Sequence, residues 1–163
     1  MNRQNGPDLE IGFNIQKLED ENVSVLLCGV NNKSTHPSSY CIVTLFIDKN
    51  LQLENFPANV DVSYGMNWQK LSSNIELEVY DQQIPVNKYL FEIKPKIPIF
   101  GSNIYKFRLH RQHLGLRICS ESLSNQKELY IAWRIETPDM LTREGIEKIS
   151  YAANTDSYSF ERV

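Results

Sequence analysis

Residues 9–16, LEIGFNIQ, set Leu9, Ile11, Phe13 and Ile15 against Glu10, Gly12, Asn14 and Gln16, a period of two that predicts a half-buried β-strand. After the polar link KLEDEN, residues 23–30, VSVLLCGV, are almost continuously apolar and suit a more central strand. Turn formers fill 31–39, NNKSTHPSS, and another apolar strand follows at 40–47. Neither apolar run has the length or the caps of an amphipathic helix. Residues 54–74 are the least periodic part of the chain, which implies connecting loops, with Met66 and Trp68 as anchors over a core edge. Alternation resumes in IELEVY at 75–80, a turn is expected at Asp81, Gln82 and Gln83, and 88–94 reads as another strand. Pro95 and Pro98 place their neighbours at a sheet edge or outside it, because proline cannot donate to a ladder.

The best local hairpin signal lies further on. Tyr105, Phe107 and Leu109 alternate with Lys106, Arg108 and His110, and Leu114, Leu116 and Ile118 alternate with Gly115, Arg117 and Cys119, leaving Arg111, Gln112 and His113 for the turn. ELYIAWRI at 128–135 predicts a strand, TPDMLTREGIEK a short helix or a loop, and 146–151 a final strand. Seven to nine short strands with little helix predict an all-β fold, a single antiparallel β-sandwich, while an α/β fold lacks its crossover helices. A length of 163 residues suits one domain. The expected organisation is a flexible N-terminal segment at 1–8, the sandwich at 9–151 and a polar, frayed tail at 152–163.

Composition narrows the function classes. The chain is 41% hydrophobic and 23% charged, which fits a packed globular protein rather than a disordered one. No stretch approaches the roughly 18 apolar residues of a membrane span, and the first twenty residues lack a secretory signal. Cys28, Cys41 and Cys119 are odd in number and widely spaced, which favours buried free thiols in a reducing compartment, hence a cytoplasmic location and no membrane partner. One disulfide plus a free thiol is the alternative. Asn22-Val23-Ser24 and Asn32-Lys33-Ser34 match the glycosylation acceptor pattern, which carries no weight without secretion.

Candidate chemistry is sparse. His36, His110 and His113 lack metal-ligand spacing, and Arg108 and Arg111 would repel a cation beside the last two, so no metal or cofactor is expected. Glu76 and Glu78 share one strand face, the ordinary pattern of a solvated surface. Asp81 with Glu92-Ile93-Lys94 matches, in a short and common form, the acid and E-x-K elements of metal-dependent nucleases, and a dispersed hydrolase site remains a third alternative. No phosphate-binding glycine loop or GxSxG elbow occurs.

Charge is more informative once divided. The net charge of −3 argues against a generally basic nucleic-acid binder. Between 88 and 118, however, seven basic residues face Glu92 alone, giving +6, so ten basic and nineteen acidic residues elsewhere carry −9. Lys94, Lys96, Lys106, Arg108, His110, Arg111 and Arg117 are therefore the expected partner-binding residues. The aromatics of 105–109 alternate away from these cations, which weakens a single-stranded nucleic-acid reading.

The segments PDLEIGF, VSVLLCGVNNKSTHPSSYCIVTLFI and IAWRIETPDMLTREG together resemble, over about residues 7–151, the immunoglobulin-like β-sandwich appendages of larger bacterial proteins, including some with Schlafen-like domains. That resemblance implies an accessory or interaction module with no catalytic residues to carry over. The expected function is non-enzymatic binding of a protein with an acidic surface, or self-association, through a strand edge and the basic region. Nucleic-acid or phosphate-ligand binding through 88–118 is the second choice.

Overall fold

A computed structural model describes residues 6–18, 23–50, 53–54, 66–94, 104–109, 117–119, 128–152 and 157–163, and these contain no helix. Among the described residues eleven strands follow one another: β1 (Leu9–Leu18), β2 (Val23–Asn32), β3 (Cys41–Asp48), β4 (Leu53–Glu54), β5 (Met66–Val79), β6 (Gln82–Ile93), β7 (Ile104–Leu109), β8 (Arg117–Cys119), β9 (Glu128–Glu136), β10 (Arg143–Ala152) and β11 (Ser157–Arg162). They form two sheets. The first runs β1-β2-β8-β4 with β7 also on β2, and the second runs β11-β10-β9-β3-β6-β5. Every pairing is antiparallel.

Period-two patterning decides which way each strand faces. On β3, Cys41, Val43, Leu45 and Ile47 are fully buried, and register sets Val43 between Phe91 and Ile135 and Leu45 between Tyr89 and Trp133. Leu9 and Ile11 of β1 and Val30 of β2 join the same hydrophobic cluster, so the inward faces of both sheets share one core. Each fully buried aliphatic or aromatic side chain contributes about 1.5–3 kcal/mol relative to exposure. On β1 the partition follows the alternation, with Glu10, Gly12 and Asn14 exposed and Phe13 and Ile15 half-buried.

Several elements depart from the pattern-based expectation. Met66 and Trp68 belong to the fourteen-residue β5, opposite Ile93 and Phe91, rather than to a loop. The β5–β6 turn falls at Tyr80 and Asp81, both with positive φ (48° and 63°), as a two-residue hairpin turn requires. Pro85 lies inside β6. Its carbonyl accepts from the Lys49 N–H at 2.9 Å, so the side of the strand where an N–H is missing faces the end of the β3 ladder, which stops at Asp48 opposite Val86.

The expected hairpin between 105–109 and 114–118 is not made: β7 pairs with Leu26–Asn31 of β2 and β8 with Val23–Val25, one after the other along the same side of β2. Pairing β7 with β8 would leave that whole side of an apolar strand without hydrogen-bond partners, and unmet buried peptide groups are costly. The 137–148 region forms a turn and β10 rather than a helix, and the polar tail contains β11, where Tyr158 and Phe160 alternate with Ser157, Ser159 and Glu161. At the other terminus Gly6 and Asp8 are tied down: the Ser34 hydroxyl donates to the Gly6 carbonyl at 2.9 Å and the Asp8 N–H to the Asn32 side chain at 3.0 Å.

Candidate functional site

Lys106, Arg108 and Arg117 stand at register positions opposite Gly29, Leu27 and Val25. These are alternate residues of β2, and alternate residues share one face of a strand. Val30 of the opposite parity is buried in the core, so the three basic positions fall on the face of the first sheet turned away from it. Glu10, Gly12 and Asn14 of β1 share that face, opposite Asn31, Gly29 and Leu27, and all three are exposed. Glu10 holds Lys33 at 2.8 Å.

Lys94 lies elsewhere. It follows β6 of the second sheet, is exposed, and sits 5.3 Å from the centroid of the Tyr40 ring. Lys88 of β6 is 5.7 Å from the Phe46 ring. The basic 88–118 segment is thus divided between two sheets. Lys96, His110 and Arg111 lie outside the described residues, as does His113.

Asp81 and Glu92 do not converge with each other. Asp81 occupies the turn at one end of the twelve-residue β6, while Glu92 near the other end accepts from the Tyr40 hydroxyl at 3.1 Å. Burial first, then Glu92, raises the Tyr40 phenol above its ordinary pKa. His36 is in the β2–β3 loop, and among the described residues no three His, Cys, Asp or Glu side chains are placed to share a metal ion. Cys41 is a buried free thiol whose pKa burial pushes up to about 12, so it is a core residue rather than a nucleophile.

Sequence patterns missed a polar hub. Asn32 is fully buried, accepts from the Asp8 and Ser34 N–H groups at 3.0 Å each, and donates to the His36 carbonyl at 2.7 Å. Its acceptor-like tripeptide is therefore loop architecture, with the amide nitrogen already engaged. Thr137 donates to the Tyr40 carbonyl at 2.7 Å and meets the Ser38 hydroxyl at 3.0 Å, joining the β2–β3 loop to the β9–β10 turn. Beside them a recess of about 530 Å³ opens between Gly6–Asp8 and Asp139–Leu141. Arg143 there is engaged by Asp8 and by the Leu9 carbonyl, and Leu141 protrudes with 89% of its surface exposed. No helix among the described residues is long and apolar enough to cross a membrane. No protein-family model matches the chain, and no curated protein matches it either.

Proposed function

We propose that this chain is an immunoglobulin-like β-sandwich interaction module that binds an acidic protein surface, a second copy included, through the outward face of its first sheet. The register carries this reading: Lys106, Arg108 and Arg117 line one row beside β2. A row of like charges steers an oppositely charged partner and raises its encounter rate. The edge strands β5 and β11 of the second sheet provide a further means of pairing with an extended segment.

The test is fluorescence polarisation with a labelled poly-glutamate peptide and, separately, a single-stranded oligonucleotide. The wild type is expected to bind the peptide. The triple variant Lys106→Glu, Arg108→Glu, Arg117→Glu should lose that binding while keeping its circular dichroism spectrum and melting temperature. Unchanged peptide binding by a folded triple variant sinks the proposal. The same basic row supports phosphate recognition as a second reading. Preference for the oligonucleotide, with log K falling by about 0.7 per phosphate contact for each decade of salt, would favour it.

A further inference from the structure

The distal half of the β5–β6 hairpin is attached differently from the rest of its sheet. β3 flanks β6 only from Val86 to Ile93, so among the described residues the two hairpin strands beyond Val86 pair with each other alone. Among the described residues one backbone bond ties this part to a neighbour, from the Lys49 N–H to the Pro85 carbonyl at 2.9 Å. Among the described residues no side-chain hydrogen bond or ion pair holds 75–85 to the sheet. Between the halves, register slips: Leu71 opposes Lys88 and Ile75 opposes Val86, so β5 has two more residues than β6 across this interval. Extra residues of this kind bend a strand.

Beyond the bend Val79, Ile84 and Val86 are buried in a cluster of their own with Tyr130 of β9, against which Phe46, Ile75, Leu77 and Ile146 pack. None of these residues belongs to the main core. A straight hairpin would carry Tyr80 about 16 Å past the Ile75–Val86 pair, at roughly 3.3 Å per residue. Yet Val79, next to that turn, is almost fully buried in the cluster that holds Tyr130 of β9. The distal hairpin therefore folds back over the outward face of the second sheet. Its underside is apolar, and Glu76, Glu78, Gln83 and Pro85 alternate on its exposed side.

We propose that this arm is a flap that swings about the Leu71/Ile75 bulge as one hydrogen-bonded hairpin, uncovering Phe46, Tyr130 and Ile146 while the two sheets stay folded. Opening leaves the ladder between Ile75–Val79 and Gln82–Val86 intact and gives up side-chain packing and the Lys49 bond. The flap makes an apolar strip on the outward face conditional: covered when closed, presented when open.

Native-state hydrogen exchange of the wild type and Ile131→Val tests this. Ile131 is fully buried in the main core and outside the flap cluster. Removing one methylene there makes global unfolding about fivefold more frequent without touching a separate flap opening. The amides of Val43, Leu45 and Ile135 should exchange about fivefold faster in the variant, while the Lys49 amide, whose bond to the Pro85 carbonyl is broken by opening, keeps its wild-type rate. Acceleration of Lys49 by the same factor as the core amides overturns the proposal, because the arm would then leave only on global unfolding. A Lys49 amide exchanging at the rate of an unstructured peptide in the wild type would overturn it too.

Discussion

At the scale of single residues, two glycines of the same strand type have opposite reasons to be there. A Cβ on Gly145 would lie 2.5 Å from Cζ2 and 2.8 Å from Nε1 of Trp133, whose ring carries the Arg162 guanidinium 5.0 Å from its centroid. Arg162 is in turn held by the nearly buried Glu147 at 2.9 and 3.0 Å, so the indole has little room to retreat. Gly145→Ala is expected to cost about 1–3 kcal/mol by overpacking, read from urea unfolding. Gly12 is exposed and a Cβ there meets nothing within 4 Å, so Gly12→Ala should instead gain about 0.4–1 kcal/mol. Equal signs for the two variants would refute this account. Asp48 offers a pH-dependent case. Burial raises its carboxyl pKa, opposed by hydrogen bonds to Asn50 and Tyr130. A raised carboxyl pKa means the folded state binds the proton more tightly, so this contribution to stability falls as pH rises through the window between the unfolded and folded values. Asp48→Asn keeps an oxygen for the Asn50 N–H, now 2.9 Å away, and removes the buried charge. Its stability should equal or exceed wild type at pH 7, with the difference vanishing as acid protonates Asp48; denaturation midpoints at pH 7 and pH 3 measure it. In the sequence Gly145 signals only a possible loop, because the reason for it is a tryptophan twelve residues away across a strand pair.

At the scale of elements, alternation located the strands whose two faces differ. β1 and the 75–79 part of β5 stand where LEIGFNIQ and IELEVY put them, and β9 matches ELYIAWRI with one further residue. What the pattern could not locate was pairing, since a period of two assigns a face and not a neighbour. Residues 105–109 and 117–119 have the alternation of a hairpin, yet each serves β2, whose long apolar run needs a partner on that side. Lys106, Arg108 and Arg117 share a parity against β2 even though the turn expected to join their strands is not what aligns them. The β5–β6 turn illustrates a local conflict. Tyr80 adopts φ 48°, a left-handed conformation that costs a bulky residue about 1–2 kcal/mol, and Asp81 follows at 63°. Tyr80→Asn with Asp81→Gly supplies the residues such a turn favours and should raise stability by about 1–2 kcal/mol. A fall in the unfolding midpoint would overturn that expectation.

At the scale of the whole molecule, the path of the chain governs both charge and folding. Of the seven basic residues between 88 and 118, the five described ones form two separate groups because the chain passes from the second sheet to the first between β6 and β7, leaving Lys88 and Lys94 with one sheet and Lys106, Arg108 and Arg117 with the other. Charge summed along a chain therefore locates a surface only after the strand order is known. The same crossings make the contacts distant. β3 is completed by β6 on one side and by β9, some ninety residues later, on the other, as Leu45 opposite Trp133 shows. Arg143 bonds the Leu9 carbonyl across 134 positions, and Ser38 meets Thr137 across 99. Closing loops of that size costs chain entropy before the core rewards it. Refolding by stopped-flow fluorescence of Trp133 and Trp68 should accordingly fall in the millisecond-to-second range of antiparallel β-proteins and not in microseconds. Val43→Ala, which thins the row where β6, β3 and β9 meet, should lower stability by about 2 kcal/mol or more. If that row forms in the folding transition state, the variant will also refold more slowly; a change confined to the unfolding rate would place the assembly of β9 onto β3 after the barrier, and sub-millisecond refolding of the wild type would remove the topological argument altogether.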